Sequence, residues 1–250
     1  MCVFFKALRN AAELLLPRTC TVCGRILGCD EKYVCTYCRS SFPFTHFAGR
    51  LENPMSLKFN AAIGGFQPVD EPFEKAAALF FYGLESNFRN ITMDLKYNAS
   101  LSEGRYFARE LGRQLGASPL FAQAAVLVPV PLHPLRRFRR GYNQAEVIAR
   151  EIGAACPWMT VLPLLKRTRR TRSQATMSTA QKKANVKDAF SVDEALVQLL
   201  LDNPEAAPQE LIIVDDVFTT GATTAQCWKT LREKFPPSVK ISVVTLGFVG

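Results

Sequence analysis

Residues 211–224, LIIVDDVFTTGATT, constrain this chain more than any other stretch. Four apolar residues run straight into two carboxylates and then into a turn rich in Thr and Gly. A short continuous apolar run bounded by a turn signal reads as a buried parallel strand, and Ala225, Trp228 and Leu231 then keep helical spacing. The turn therefore joins a strand's carboxyl end to a helix's amino end, the position at which open α/β sheets bind ligands. Thr219, Thr220, Gly221, Ala222 and Thr223 offer backbone N–H groups and hydroxyls there, which suits a phosphate dianion. Gly221 lets the backbone turn where a side chain would obstruct it. Asp215 and Asp216 are acceptors placed just before this cradle, at the right reach for the hydroxyls of an attached ribose, so the stretch describes a site for a ribose 5-phosphate. An Asp pair that binds Mg²⁺ in another α/β fold, or a mere turn, is the competing reading. The rival phosphate loops G-x-x-x-x-G-K-[ST] and G-x-G-x-x-G are absent from the sequence.

A second apolar strand is expected at 126–131, VLVPVP, ending in the loop LHPLRRFRRGYNQ, after which Asn143 opens a helix whose buried face carries Val147, Ile148 and Ile152. Arg136, Arg137, Arg139 and Arg140, set between a strand end and a helix start, form a candidate pyrophosphate site; solvated surface charge is the bland alternative. Residues 166–190, KRTRRTRSQATMSTAQKKANVKDAF, make a third basic element almost without apolar residues. A loop of this length inside a compact domain reads as a lid or a disordered linker, and Lys166 at its start is a further candidate ligand contact. Lys96 and Tyr97 follow Phe88, Ile91 and Leu95 at helical spacing; they could border the pocket, but helix surface is the safer reading. Phe107, Leu111 and Leu115 mark an ordinary amphipathic helix over 101–117.

Six of the eight cysteines precede residue 39, and four of them form two C-x-x-C pairs, Cys20/Cys23 and Cys35/Cys38. Two such knuckles complete the tetrahedral thiolate site that Zn²⁺ prefers, with no ligand position left for water, so the metal would be structural. A disulfide pair or a thioredoxin-type motif is the alternative; a reducing compartment disfavours the first and duplication of the motif the second. Cys29, whose spacing fits neither knuckle, is expected to stay out of the site.

The 250 residues carry 31 Lys and Arg against 22 Asp and Glu, a net charge of +9 that favours polyanionic ligands. Near-average hydrophobic and charged fractions, 48% and 21%, exclude wholesale disorder. No apolar run approaches the roughly 18 residues a bilayer span needs. Phe4, Leu8, Ala11 and Leu15 suggest an N-terminal amphipathic helix docked on the body, and the expected compartment is the cytoplasm. With only His46 and His133 present, a Ser-His-Asp or Cys-His catalytic set is improbable.

The 211–224 stretch resembles the phosphoribosyl pyrophosphate motif of type I phosphoribosyltransferases. The order of the two knuckles, MDLKYNAS, VPVPLHPLRRFRRGYNQAEVIA, the basic element and VDDVFTTGATT resembles the ComF family, which joins a short zinc ribbon to such a domain. The resemblance covers roughly residues 14–248. It implies a mostly parallel α/β sheet with helices on both faces over residues 49–250, preceded by a Cys₄ zinc module within 1–48. It further implies Asp215 and Asp216 on the ribose 2′ and 3′ hydroxyls, residues 219–223 on the 5′-phosphate, Mg²⁺ bound with the diphosphate, and a closing lid. Families of this fold also include members that bind the sugar diphosphate only as a regulatory ligand. The association of ComF proteins with natural transformation implies single-stranded DNA and other competence proteins as further partners, with the basic lid residues Lys166, Arg167, Arg169, Arg170 and Arg172 on DNA phosphates. Two departures stand out: an insertion at 193–208, and a chain that stops just after VKISVVTLGFV, where a base-binding hood is expected to be missing.

Overall fold

A computed structural model of the chain describes residues 17–64, 73–83, 85–97, 101–168, 189–203 and 208–250. The expected N-terminal helix, most of the expected lid (169–188, with Arg169, Arg170 and Arg172) and part of the insertion (204–207) lie outside the described residues. Five strands form a parallel sheet: β1 (Ala76–Phe81), β2 (Ala125–Pro129), β3 (Met159–Val161), β6 (Glu210–Phe218) and β7 (Lys240–Phe248), in the order β1-β7-β6-β2-β3. The short strands β4 (Leu165–Arg167) and β5 (Phe190–Val192) pair separately as an antiparallel ribbon. The central strands read as unbroken apolar runs because helices cover both of their faces; Leu211, Ile212, Ile213 and Val214 are fully buried.

The knuckle segment carries the short helix α1 (Thr36–Ser40), and the flanking helices are α2 (Pro54–Ile63), α3 (Asn90–Tyr97), α4 (Leu101–Gly116), α6 (Gln144–Ala155) and α8 (Ala222–Arg232). Helices α4 and α6 pack together as one layer, α2 and α8 as the other. The first contact is close: a Cβ on Gly112 would lie 2.8 Å from Ala155 Cβ and 3.1 Å from Ile152 Cα. The expected amphipathic face of α4 is present, with Phe107, Leu111 and Leu115 buried.

From β2 the chain crosses outward to β3 through α6, and from β6 it crosses outward the other way to β7 through α8. Those opposed crossovers open a crevice between the carboxyl ends of β2 and β6, which is where a doubly wound sheet accepts a ligand. The arginine stretch leaves one strand there and the Thr/Gly turn leaves the other.

The opposite, amino edge of the sheet holds two buried ionic groups that no local pattern announced. Glu74 accepts from Trp228 Nε1 at 3.1 Å, Arg232 Nη2 at 3.1 Å and the Ile241 amide at 3.0 Å. Lys75 Nζ lies 2.7 Å from Glu210 Oε2. The knuckle segment has its own small core of Cys20, Val22, Leu27, Cys35 and Cys38. It meets the body through Val34 and Phe88, through the Tyr33–Tyr106 ring pair at 5.4 Å, and through Asn90 Nδ2 donating to the Thr21 carbonyl at 3.1 Å. Among the described residues no helix is long and apolar enough to cross a membrane.

Candidate functional site

At the carboxyl end of β6 the turn expected from the sequence is present. Gly221 takes φ +75°, and it caps α8 without a side-chain hydrogen bond. A Cβ there would meet Phe218 Cζ at 2.8 Å and Ala62 Cβ at 3.3 Å, so the position needs glycine for both space and conformation. The amino end of this helix carries the partial positive charge of its dipole. Thr220 Oγ1 is buried and has no hydrogen-bond partner among the described residues. A buried hydroxyl left unsatisfied is costly, and an anion seated on the turn would satisfy it. The 219–223 segment thus has the conformation and the donors of an anion cradle.

Asp215 and Asp216 stand immediately before it. Asp215 Oδ1 accepts the Asp216 amide at 2.9 Å, and Asp216 Oδ1 accepts the Val217 amide at 3.0 Å. Burial first, and then the neighbouring Asp216 charge, push the Asp215 carboxyl up to about 8. Asp216 Oδ2 lies 2.7 Å from Lys96 Nζ. Burial alone would lower the Lys96 pKa, but Asp216 and then Asp215 outweigh it and hold the ammonium charged. The helix-surface reading therefore fails for Lys96, whose side chain turns into the site and is 24% exposed. It holds for Tyr97, which is 69% exposed. The partner of Lys96 lies 120 positions away in sequence (216 − 96), beyond the reach of any spacing argument.

The arginine stretch is not the open loop expected but a short helix, α5 (Pro134–Arg140). His133 caps it, Nδ1 accepting the Leu135 amide at 3.3 Å, and Gly141 ends it at φ +82°. Helical spacing sends the arginines different ways. Arg136 and Arg140 are partly buried, and Arg137 is exposed and pairs with Glu146 at 3.4 Å. The Arg140 guanidinium lies 5.6 Å from the Tyr97 ring centroid. Asn143 opens α6 as expected, and its Nδ2 also donates to the Val130 carbonyl at 3.0 Å, fastening the stretch to the end of β2.

The start of the expected lid is strand rather than loop, and strand alternation divides its first two residues. Lys166 points outward to Asp193 at 2.7 Å and is 60% exposed at its side chain. Arg167 turns inward, its guanidinium 5.2 Å from the Phe190 ring centroid. Burial and then nearby Arg136 lower its pKa, while Cys227 and Asp215 act the other way. Arg167 thus lies within electrostatic reach of Cys227, Arg136 and Asp215, and in the sequence it was one basic residue among many. Within the insertion, Asp193 caps α7 (Glu194–Leu201), Oδ1 accepting the Leu196 amide at 3.4 Å.

The second candidate centre is the cysteine cluster. The sulfurs of Cys20, Cys23, Cys35 and Cys38 all lie within 4.8 Å of one another, and Cys23 and Cys35 are 3.7 Å apart. A tetrahedron with Zn–S bonds of about 2.3 Å has edges of about 3.8 Å, so the four thiols fit a zinc ion. Burial alone would raise the Cys20 thiol. The amides of Cys35, Cys23 and Val22 aimed at its sulfur bring it down to about 7 instead. Burial, and then crowding by the other thiols, pushes Cys38 up, a penalty that a bound cation removes. Cys29 stands exposed outside the cluster.

Fold and sites together define a class: a parallel α/β protein with an acidic pair and a glycine-capped helix start at its switch point, joined to a four-cysteine module. Known proteins are similar to this chain in sequence. It is 33% identical over 107 residues to Competence protein F of Haemophilus influenzae, a match spanning 43% of this chain and 44% of that protein. It is 28% identical over 228 residues to DNA utilization protein YhgH of Escherichia coli strain K12, spanning 89% of this chain and 87% of that protein. The Salmonella typhi protein of the same name is 32% identical over 117 residues, 46% of each chain. No protein-family model matches the chain. These homologues bear out the resemblance to the ComF family.

Proposed function

We propose that this chain binds phosphoribosyl pyrophosphate with Mg²⁺ and transfers its phosphoribosyl group to a nitrogen nucleophile. The observation that carries the reading is the union, on one strand-to-helix turn, of the Asp215–Asp216 pair with a glycine-capped helix start and the unsatisfied Thr220 hydroxyl. The 5′-phosphate sits at Thr219, Thr220, Gly221, Ala222 and Thr223, and the ribose hydroxyls donate to Asp215 and Asp216. The diphosphate faces Arg136 and Arg140 across the crevice, while Arg137, paired with Glu146, and Lys166, paired with Asp193, are turned away from it. Mg²⁺ bound with the sugar diphosphate would supply charge neutralisation of the leaving group. In the reaction the nucleophile's lone pair forms the bond to C1 as the C1–O bond breaks, and that electron pair leaves with pyrophosphate. The protein's part is positioning and charge stabilisation. The Cys₄ cluster holds a structural Zn²⁺, and the protein acts in the cytoplasm; a role in DNA uptake accords with relatives named Competence protein F and DNA utilization protein.

Calorimetric titration with phosphoribosyl pyrophosphate and Mg²⁺ tests this reading. Saturable binding by the wild type that Asp215→Asn abolishes is the expected result. No binding by folded, zinc-loaded protein overturns it.

A specific surface favours a second reading, in which the protein also holds single-stranded DNA among other competence proteins. Phe138 is 88% exposed between the exposed Arg137 and Arg139, and Tyr97 presents its ring beside Arg140. Exposed rings for base stacking among cations for phosphates suit a single strand. Binding to an oligonucleotide should fall steeply with salt and weaken in Phe138→Ala; no binding at low salt sinks this second reading.

A further inference from the structure

Three consecutive residues at the end of α3 touch both halves of the site. The Tyr142 hydroxyl, just past the arginine helix, donates to the Leu95 carbonyl. Lys96 pairs with Asp216 at 2.7 Å. The Tyr97 ring lies against Arg140.

We propose that Lys96 is a positioning residue: its ammonium fixes the Asp216 carboxylate at the ribose position, and the Leu95–Lys96–Tyr97 turn ties that carboxylate to the arginine stretch on which the diphosphate rests. This rests on the sugar-diphosphate reading above. Asp216 has one oxygen hydrogen-bonded to the Val217 amide and the other in an ion pair with Lys96 at 2.7 Å, so both oxygens are engaged before ligand arrives. Without the ammonium, Asp216 loses the cation it pairs with while the Asp215 carboxyl stays beside it at the end of β6, and like charges so close resist ionising together. Lys96 of α3 faces the pair and Tyr82 beyond β1 acts on Lys96, while Arg167 of β4 and Cys227 of α8 act on the Asp215 side. Tyr142 and Arg140 act on the other end of the same turn, so disturbance of the arginine stretch reaches Asp216 through Lys96.

The test uses full-length, zinc-loaded protein as wild type, Lys96→Met, Lys96→Arg, Tyr142→Phe and the Lys96→Met/Tyr142→Phe double variant. Each is titrated with phosphoribosyl pyrophosphate and Mg²⁺. Lys96→Met, which keeps the length of the side chain, should weaken binding about tenfold or more, and Lys96→Arg should recover most of it. The Tyr142→Phe loss should shrink in the Lys96→Met background, since both act through one turn. A purely structural lysine would lower the melting temperature and leave the affinity of folded protein unchanged, which overturns the proposal. Additive losses overturn the tie to the arginine stretch.

A second measurement needs no ligand: ¹³C NMR titration of the aspartate carboxyls. Lys96→Met should raise a midpoint of the Asp215–Asp216 pair by about one pH unit or more, and Lys96→Arg should restore it. Should the wild type bind no sugar diphosphate, the functional reading falls, while the carboxyl titration still judges Lys96. An unchanged titration overturns the clamp.

Discussion

Asp215→Asn should stabilise the protein at alkaline pH while destroying its ligand site. Burial and the adjacent Asp216 hold the Asp215 carboxyl at about 8 in the fold, against about 3.9 in an unfolded chain. A carboxyl raised in this way favours the fold while neutral. Its contribution is complete below about pH 4 and is lost as pH rises through 8. Four units at about 1.4 kcal/mol each set an upper limit of roughly 5 to 6 kcal/mol. Asp215 is partly open to solvent and shares the field of Lys96, so about half of that, 2 to 3 kcal/mol, is the reasonable expectation. For a chain of this size each kcal/mol moves the midpoint about 2 to 4 °C, giving roughly 5 to 10 °C. Asn keeps the oxygen that accepts the Asp216 amide and cannot ionise. The assay is thermal unfolding of both proteins from pH 4 to 8.5. The two midpoints should converge near pH 4 and separate in favour of Asp215→Asn toward pH 8. A constant offset, or a wild type that gains on the variant as pH rises, refutes the account of a buried, crowded carboxylate.

Gly221→Ala should cost about 1 to 3 kcal/mol in chemical denaturation, because the new Cβ meets the Phe218 ring and the backbone stays at positive φ; it should also abolish anion binding at the turn. Cys38→Ser should lower the bound zinc measured by elemental analysis from about one ion per chain, and a chelator should unfold the knuckle segment, since a bound zinc would supply most of the folding free energy of so small a core. Glu210→Gln leaves the Lys75 ammonium buried without its counter-charge and should cost about 3 to 5 kcal/mol in urea unfolding, with sugar-diphosphate affinity unchanged since the pair lies at the other edge of the sheet.

What the sequence determined by itself was local. An apolar run entering Asp-Asp and then a Thr/Gly turn specifies strand, acidic pair and helix start, because backbone periodicity and turn chemistry act over a few residues. The repeated C-x-x-C spacing likewise brought Cys20, Cys23, Cys35 and Cys38 to one point. The tertiary structure alone decided what meets across the crevice. Lys96 reads as helix surface until sheet order lays the end of α3 over the end of β6. Arg167 and Lys166 are equivalent in composition until a strand forms and sends one inward and the other to Asp193. The arginine stretch carries charge in any conformation, and only its folding as α5 separates Arg140, laid on Tyr97, from Arg137, turned to Glu146. Such pairings join residues tens of positions apart, and their energy depends on burial and orientation that no local spacing encodes.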